Sequence, residues 1–121
     1  MKFIATNIDQ KNKKEVYRLT KCENLKVQDM ERGTSFPVEK YAVYEEEKTR
    51  KKNDGSIETY TQQVLTFVSG EMKLGTISAT FIKSFLEIVE IMGADPFSII
   101  ITGGKSKNGR DFVNCELDCD A

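Results

Sequence analysis

The stretch TFVSGEMKLGTISATFIKSFLEIVEIMGADPFSIIITGGKSKNGRDFVNCELD, residues 66–118, reads as two strands, one helix and a hairpin. The helix is its anchor. Apolar residues fall at Phe81, Ile82, Phe85, Leu86, Ile88, Val89 and Met92, the i, i+3, i+4, i+7 spacing of a wide buried stripe. Lys83, Glu87 and Glu90 lie outside it and stay wet. Ser78 or Thr80 serves as the N-cap, Gly93 ends the helix, and Asp95-Pro96 prevents its resumption. From Thr80 to Met92 such a helix is roughly 20 Å long at about 1.5 Å per residue, enough to close one end of a small barrel.

Ahead of this stretch, residues 34–68 read as a long antiparallel hairpin. On its first strand Phe36, Val38, Ala42 and Tyr44 share one face, and Tyr41 and Val43 the other. The return strand, Ile57 to Val68, is rich in Thr, Tyr, Val, Ile and Phe, as strands are. Between them EEEKTRKKNDGS, residues 45–56, is a strongly charged connection with the turn dipeptide Asp54-Gly55. Met72 to Ile77 make a short third strand in which Gly75 permits a bend.

Past the helix, Phe97 to Thr102 is an almost continuous β-branched run, the pattern of a central strand. Residues 103–110 read as a basic loop. Asp111 to Asp118 then alternate, sending Val113, Cys115 and Leu117 inward and Phe112, Asn114 and Glu116 outward. Residues 1–33 are less patterned. Phe3-Ile4-Ala5 and Val16-Tyr17-Arg18-Leu19 fit short strands around a polar loop. Leu25 to Met30 fit either a strand or one helical turn, and Glu31-Arg32-Gly33 a turn.

The resulting order, β-β-β-α-β-β, is that of the OB-fold, a mostly β, five-stranded Greek-key barrel with one helix. At 121 residues there is room for a single domain over 1–121, with the barrel at 33–118 and residues 1–32 as an N-terminal extension or extra strands.

Composition narrows the function. Lys+Arg 18 against Asp+Glu 19 gives a net charge of −1, so the distribution of charge matters more than its sum. No apolar run approaches ~18 residues, so no membrane span is expected. MKFIATNIDQ lacks the apolar core of a signal peptide. Cys22, Cys115 and Cys119 form no C-x-x-C pair, which suits a reduced, cytoplasmic protein. Histidine is absent, and with it the commonest general base and metal ligand. Cys115 and Cys119 make a poor metal pair, and Glu45-Glu46-Glu47 reads as a solvated run. Gly103-Gly104-Lys105-Ser106 lacks the first glycine and the following helix of a phosphate loop. No cofactor is expected.

Two charged loops carry the functional signal. Lys48, Arg50, Lys51 and Lys52 cluster near the tip of the first hairpin, and Lys105, Lys107 and Arg110 at the tip of the last. In an OB-fold these loops flank one groove. Tyr41, Tyr44, Tyr60 and Phe112 lie on the connecting strands. Cations for phosphates and aromatic faces for bases are what sequence-tolerant binding of single strands requires. Phe112 is expected to face solvent, unless Phe3-Ile4 folds over it. A protein-interaction module binding a replication or host-defence partner is the alternative. A nuclease is disfavoured, because no pair of Asp/Glu residues sits at strand ends in a two-metal pattern.

From Gly75 to Leu117 the chain resembles the small single-stranded DNA-binding proteins of tailed phages infecting Gram-positive bacteria. Gly104, Lys105, Ser106, Gly109, Arg110, Phe112 and Leu117 match that family's final hairpin. GTSFPVEKYAVYEEE and QQVLTF look like its first hairpin, so the resemblance covers about residues 33–117. It implies an OB-fold, a phage protein in the host cytoplasm, and non-sequence-specific binding of single-stranded DNA during replication or recombination. It also implies replication or recombination proteins as partners, no catalysis, and base stacking by Phe112, Tyr44 and Tyr60.

Overall fold

The computed structural model describes residues 1–21, 24–105, 109 and 111–120, and for Lys105 the backbone alone. Its strands are β1 (Lys2–Thr6), β2 (Leu25–Lys26), β3 (Ser35–Val38), β4 (Lys40–Lys51), β5 (Ile57–Ser69), β6 (Met72–Thr76), β7 (Phe97–Lys105) and β8 (Asp111–Leu117). The helices are α1 (Lys13–Lys21) and α2 (Ala79–Met92), with a 3₁₀ turn at Val27–Asp29. One sheet has the order β1-β4-β5-β6-β2 and the other β3-β7-β8. Pairing is antiparallel except for β2, which lies parallel to β6.

The expected five-stranded barrel is therefore corrected. The chain is mostly β, with eight strands and two helices among the described residues, and its sheets do not close. At the seam, the outer edge of β6 is taken by Leu25 and Lys26 rather than by β8. Gly75 has its reason here. A Cβ on it would lie 2.5 Å from Nδ2 of Asn24, so a larger residue here would push the Asn24 side chain aside.

Helix α2 follows its apolar stripe. Ser78, not Thr80, is the cap, its hydroxyl accepting from the Phe81 N–H at 3.3 Å. Phe81, Ile82, Phe85 and Ile88 are buried, and Leu86, Val89 and Met92 pack at the margin. Phe85 ties the helix to the sheets, its ring 5.4 Å from Tyr41 and 6.0 Å from both Phe67 and Phe97. The run predicted as a central strand is the middle strand of its sheet, with Ile99 and Ile101 fully buried.

Three local expectations change, and a fourth, at residues 25–30, is met by both of its readings. Val16 to Leu19 are helical, not extended. Asn12 accepts from the Glu15 N–H at 3.2 Å while its own amide donates to the Glu15 carboxylate at 3.4 Å, a reciprocal N-terminal cap. Residues 25–30 divide between the two readings, a two-residue strand followed by one 3₁₀ turn. The charged connection 45–56 is mostly strand. β4 runs to Lys51 in unbroken register with Ile57, leaving a tight turn in which Asp54 accepts from the Ser56 N–H and hydroxyl. Likewise Gly103 to Lys105 extend β7 instead of opening the basic loop.

The faces of β3 and β4 also shift. Phe36 and Val38 share the main core with Tyr41 and Val43, whereas Ala42 and Tyr44 point to the opposite side. Alternation is broken at Glu39, between the two strands. Asn7 patches the break, donating to the Glu39 carbonyl at 2.9 Å and accepting from the Tyr41 N–H at 2.8 Å.

Candidate nucleic-acid interface

The four aromatic candidates divide evenly. Tyr41 is 6 % exposed in the main core, and Tyr44 is 2 % exposed beneath α1, its hydroxyl donating to the Thr20 carbonyl at 3.1 Å. Burial pushes the Tyr44 phenol up to about 12, helped by Glu46. Neither ring offers a face to a base, so both leave the candidate site. Alternation cannot reveal this, because α1 covers a face that the sequence leaves open.

Phe112 and Tyr60 remain accessible. Phe112 is 42 % exposed, opposite Gly104 in the β7–β8 pair. A Cβ on Gly104 would lie 3.7 Å from the Phe112 ring, so the ring rests over backbone that bears no side chain. Phe3 lies elsewhere, edge-on to Tyr44 at 6.2 Å. Beneath Phe112 the backbone is held by Arg32, whose guanidinium donates to the carbonyls of Met30 at 2.9 Å, Gln28 at 3.3 Å and Phe112 at 3.5 Å. Gly103 must be glycine at this point. Its φ is +151°, and a Cβ there would meet the Phe112 carbonyl oxygen at 2.2 Å and Arg32 Nε at 2.8 Å. Nothing in the Glu31-Arg32-Gly33 turn marks Arg32 as a partner of residue 112, some eighty positions away.

On the first hairpin the candidates sort by face. Lys48 stands opposite Tyr60, and Arg50 opposite Glu58, on the same side of the ribbon. The Arg50 guanidinium lies 5.0 Å over the Tyr60 ring and donates from Nε to Glu58 at 2.8 Å. That hydrogen bond holds the Glu58 carboxyl below its usual range. Lys48 pairs with Glu46 at 3.0 Å, and Lys21 reaches the same carboxylate at 3.4 Å. Partial burial pushes Glu46 up, but the two ammonium groups outweigh it and hold the carboxyl low. Lys51 lies on the opposite side, and Lys52 in the turn. Neither has a carboxylate partner among the described residues.

Lys48, Arg50 and Tyr60 therefore share one surface, while Phe112 belongs to the other sheet. Lys107, Arg110 and the side chain of Lys105 lie outside the described residues. Cys115 is a core residue. Its thiol is pushed up to about 12 by burial and by Glu116, so it is no ready nucleophile. Among the described residues no helix is long and apolar enough to cross a membrane, and no three His, Cys, Asp or Glu residues are grouped to hold a metal. No family model, curated protein or solved structure matches the chain.

Proposed function

We propose that this protein binds single-stranded DNA without sequence preference, through phosphate contacts and base stacking, and catalyses no reaction. The observation that carries the reading is Phe112. Its half-exposed ring lies over Gly104, at the base of a hairpin whose sequence holds Lys105, Lys107 and Arg110. A large apolar surface beside cations finds a natural ligand in a nucleobase with its phosphate. Tyr60 with Lys48 and Arg50 repeats the combination on the first hairpin.

Connectivity favours an opened OB-fold as the scaffold. β3 and β4 form one bent strand that serves both sheets, β3 pairing with β7 and β4 with β5. A meander, a helix and a hairpin follow in the order of that Greek-key barrel. On this reading the protein protects single strands during replication or recombination, as the phage family does.

Anisotropy titrations of labelled oligothymidylate and of a duplex of equal length, each at two salt concentrations, test the proposal. Tighter binding to the single strand, weakening as salt rises, is expected. Equal affinity for the two forms would reduce the site to a generic basic surface. No binding to either would favour a protein partner.

A further inference from the structure

Helix α1 carries a second surface of the same chemistry. At about 100° per residue, Lys13, Tyr17, Lys21, Lys14 and Arg18 fill one continuous arc of the helix. All five are exposed, while Leu19 and Thr20 are buried and Glu15 and Val16 half-buried. The arc holds four cations, one tyrosine and no carboxylate. Glu15, the only acid of the helix, is drawn to its flank by Asn12 and by an ion pair with Lys40. Tyr17 is 63 % exposed, with neither ring contact nor hydrogen bond from its side chain among the described residues. Lys13, Lys14 and Arg18 have no carboxylate partner among them either.

A solvated face explains only part of this. Arg18 and Lys21 suit the negative C-terminal end of the helix, but Lys13 and Lys14 sit in the first turn, where the helix dipole opposes cations. An anionic ligand would offset that repulsion.

Position adds a second argument. The Tyr44–Thr20 hydrogen bond seats α1 on the sheet face formed by Ala42, Tyr44, Val64 and Val68. The same face continues along β4 and β5 to Lys48, Tyr60 and Arg50, with Lys48 about 14 Å beyond Tyr44. Lys21 and Lys48 both pair with Glu46, which joins the arc of α1 to the hairpin surface.

We propose that this arc is a further contact for single-stranded DNA, with Tyr17 stacking on a base and Lys14 and Arg18 on phosphates. The bound strand then passes from α1 to Tyr60 along one face of the larger sheet. The inference rests on the proposed single-strand binding and adds a site that Phe112 does not provide.

The chain has no tryptophan, so Tyr17→Trp and, separately, Phe112→Trp each install a lone indole reporter. Each is titrated with an oligothymidylate of about 30 nucleotides, longer than the site of a single OB-fold. Saturable quenching at position 17 is expected. The charge variant Lys14→Gln/Arg18→Gln keeps good helix formers on an exposed face, and its melting temperature should match the parent. It should bind the same oligonucleotide more weakly, with a log–log salt slope shallower by up to about 1.4, at roughly 0.7 per phosphate. Quenching at 112 but not at 17, or an unchanged slope in the charge variant, overturns the α1 contact and leaves the Phe112 reading standing. Quenching at 17 alone supports the α1 contact and overturns the role of Phe112. Quenching at neither position, with no anisotropy change, overturns both.

Discussion

The inner and outer halves of the β4–β5 hairpin share one register and occupy opposite environments. Pairing runs unbroken from Lys40 against Val68 to Lys51 against Ile57. In the inner half both faces are dry from Tyr41 to Tyr44 and from Leu65 to Phe67. Tyr41, Val43, Leu65 and Phe67 meet α2 and the second sheet, while Ala42 and Tyr44 lie under α1. From Glu47 and Thr61 outward, side chains on both faces are exposed or half-exposed. Backbone pairing is the same throughout, so burial here comes from what docks on the ribbon. The inner half is held by packing. The outer half is held by cross-strand pairs such as Arg50–Glu58, and its side chains are open to solvent.

The strongest way to break this contrast is to remove a ring from the inner half. Tyr44→Ala should cost about 3–5 kcal/mol, as loss of a buried aromatic does, and it also strips the Thr20 carbonyl of its donor. Urea unfolding would show it. A midpoint within error of the parent would mean that α1 packs only loosely on the sheet.

Alkali tests buried groups without mutation, Tyr44 in this half and Cys115 on β8 of the other sheet. Tyr44 and Cys115 both have folded values near 12, above their ordinary values of 10.0 and 9.0. Both groups are neutral below those ordinary values, where their contribution to stability is complete. As pH rises, the unfolded chain releases these protons first, so stability falls from about pH 9 towards 12, by a few kcal/mol in all. Melting temperatures measured across that window should drop steeply. A Cys115→Ala variant should shift the onset towards pH 10, and an unchanged onset would show that the thiol is not the group responsible.

Exposed aromatics sharpen the comparison from the other side. Phe112→Ala should leave the melting temperature nearly unaltered and weaken single-strand binding by about 1–3 kcal/mol. A large loss of stability with intact affinity would place the ring among the packed residues instead.

The smallest effect belongs to the unpaired cations. Lys51→Ala/Lys52→Ala should change stability negligibly and flatten the salt dependence of binding by up to about 1.4 in log–log slope. An identical slope would make them ordinary surface lysines.

The β-rich class and several single elements were written in the sequence. The α2 stripe, the β-branched run of β7, and the alternation that turns Val113 and Cys115 inward and Phe112 outward are local patterns. Each is imposed by the geometry of one element, 3.6 residues per turn or two per pleat, and needs no distant partner to be read. Tertiary structure decided the rest. Val16 to Leu19 are β-branched or aromatic enough to suggest a strand, yet the Asn12–Glu15 cap and an apolar seat on Tyr44 make them helical. That helix buries Tyr44 and turns Tyr17 outward. Arg32 meets the Phe112 carbonyl only because the fold brings the 31–33 turn against β8. Which face of a strand is wet depends on what is packed against it, and that is a property of the whole fold rather than of any segment's spacing.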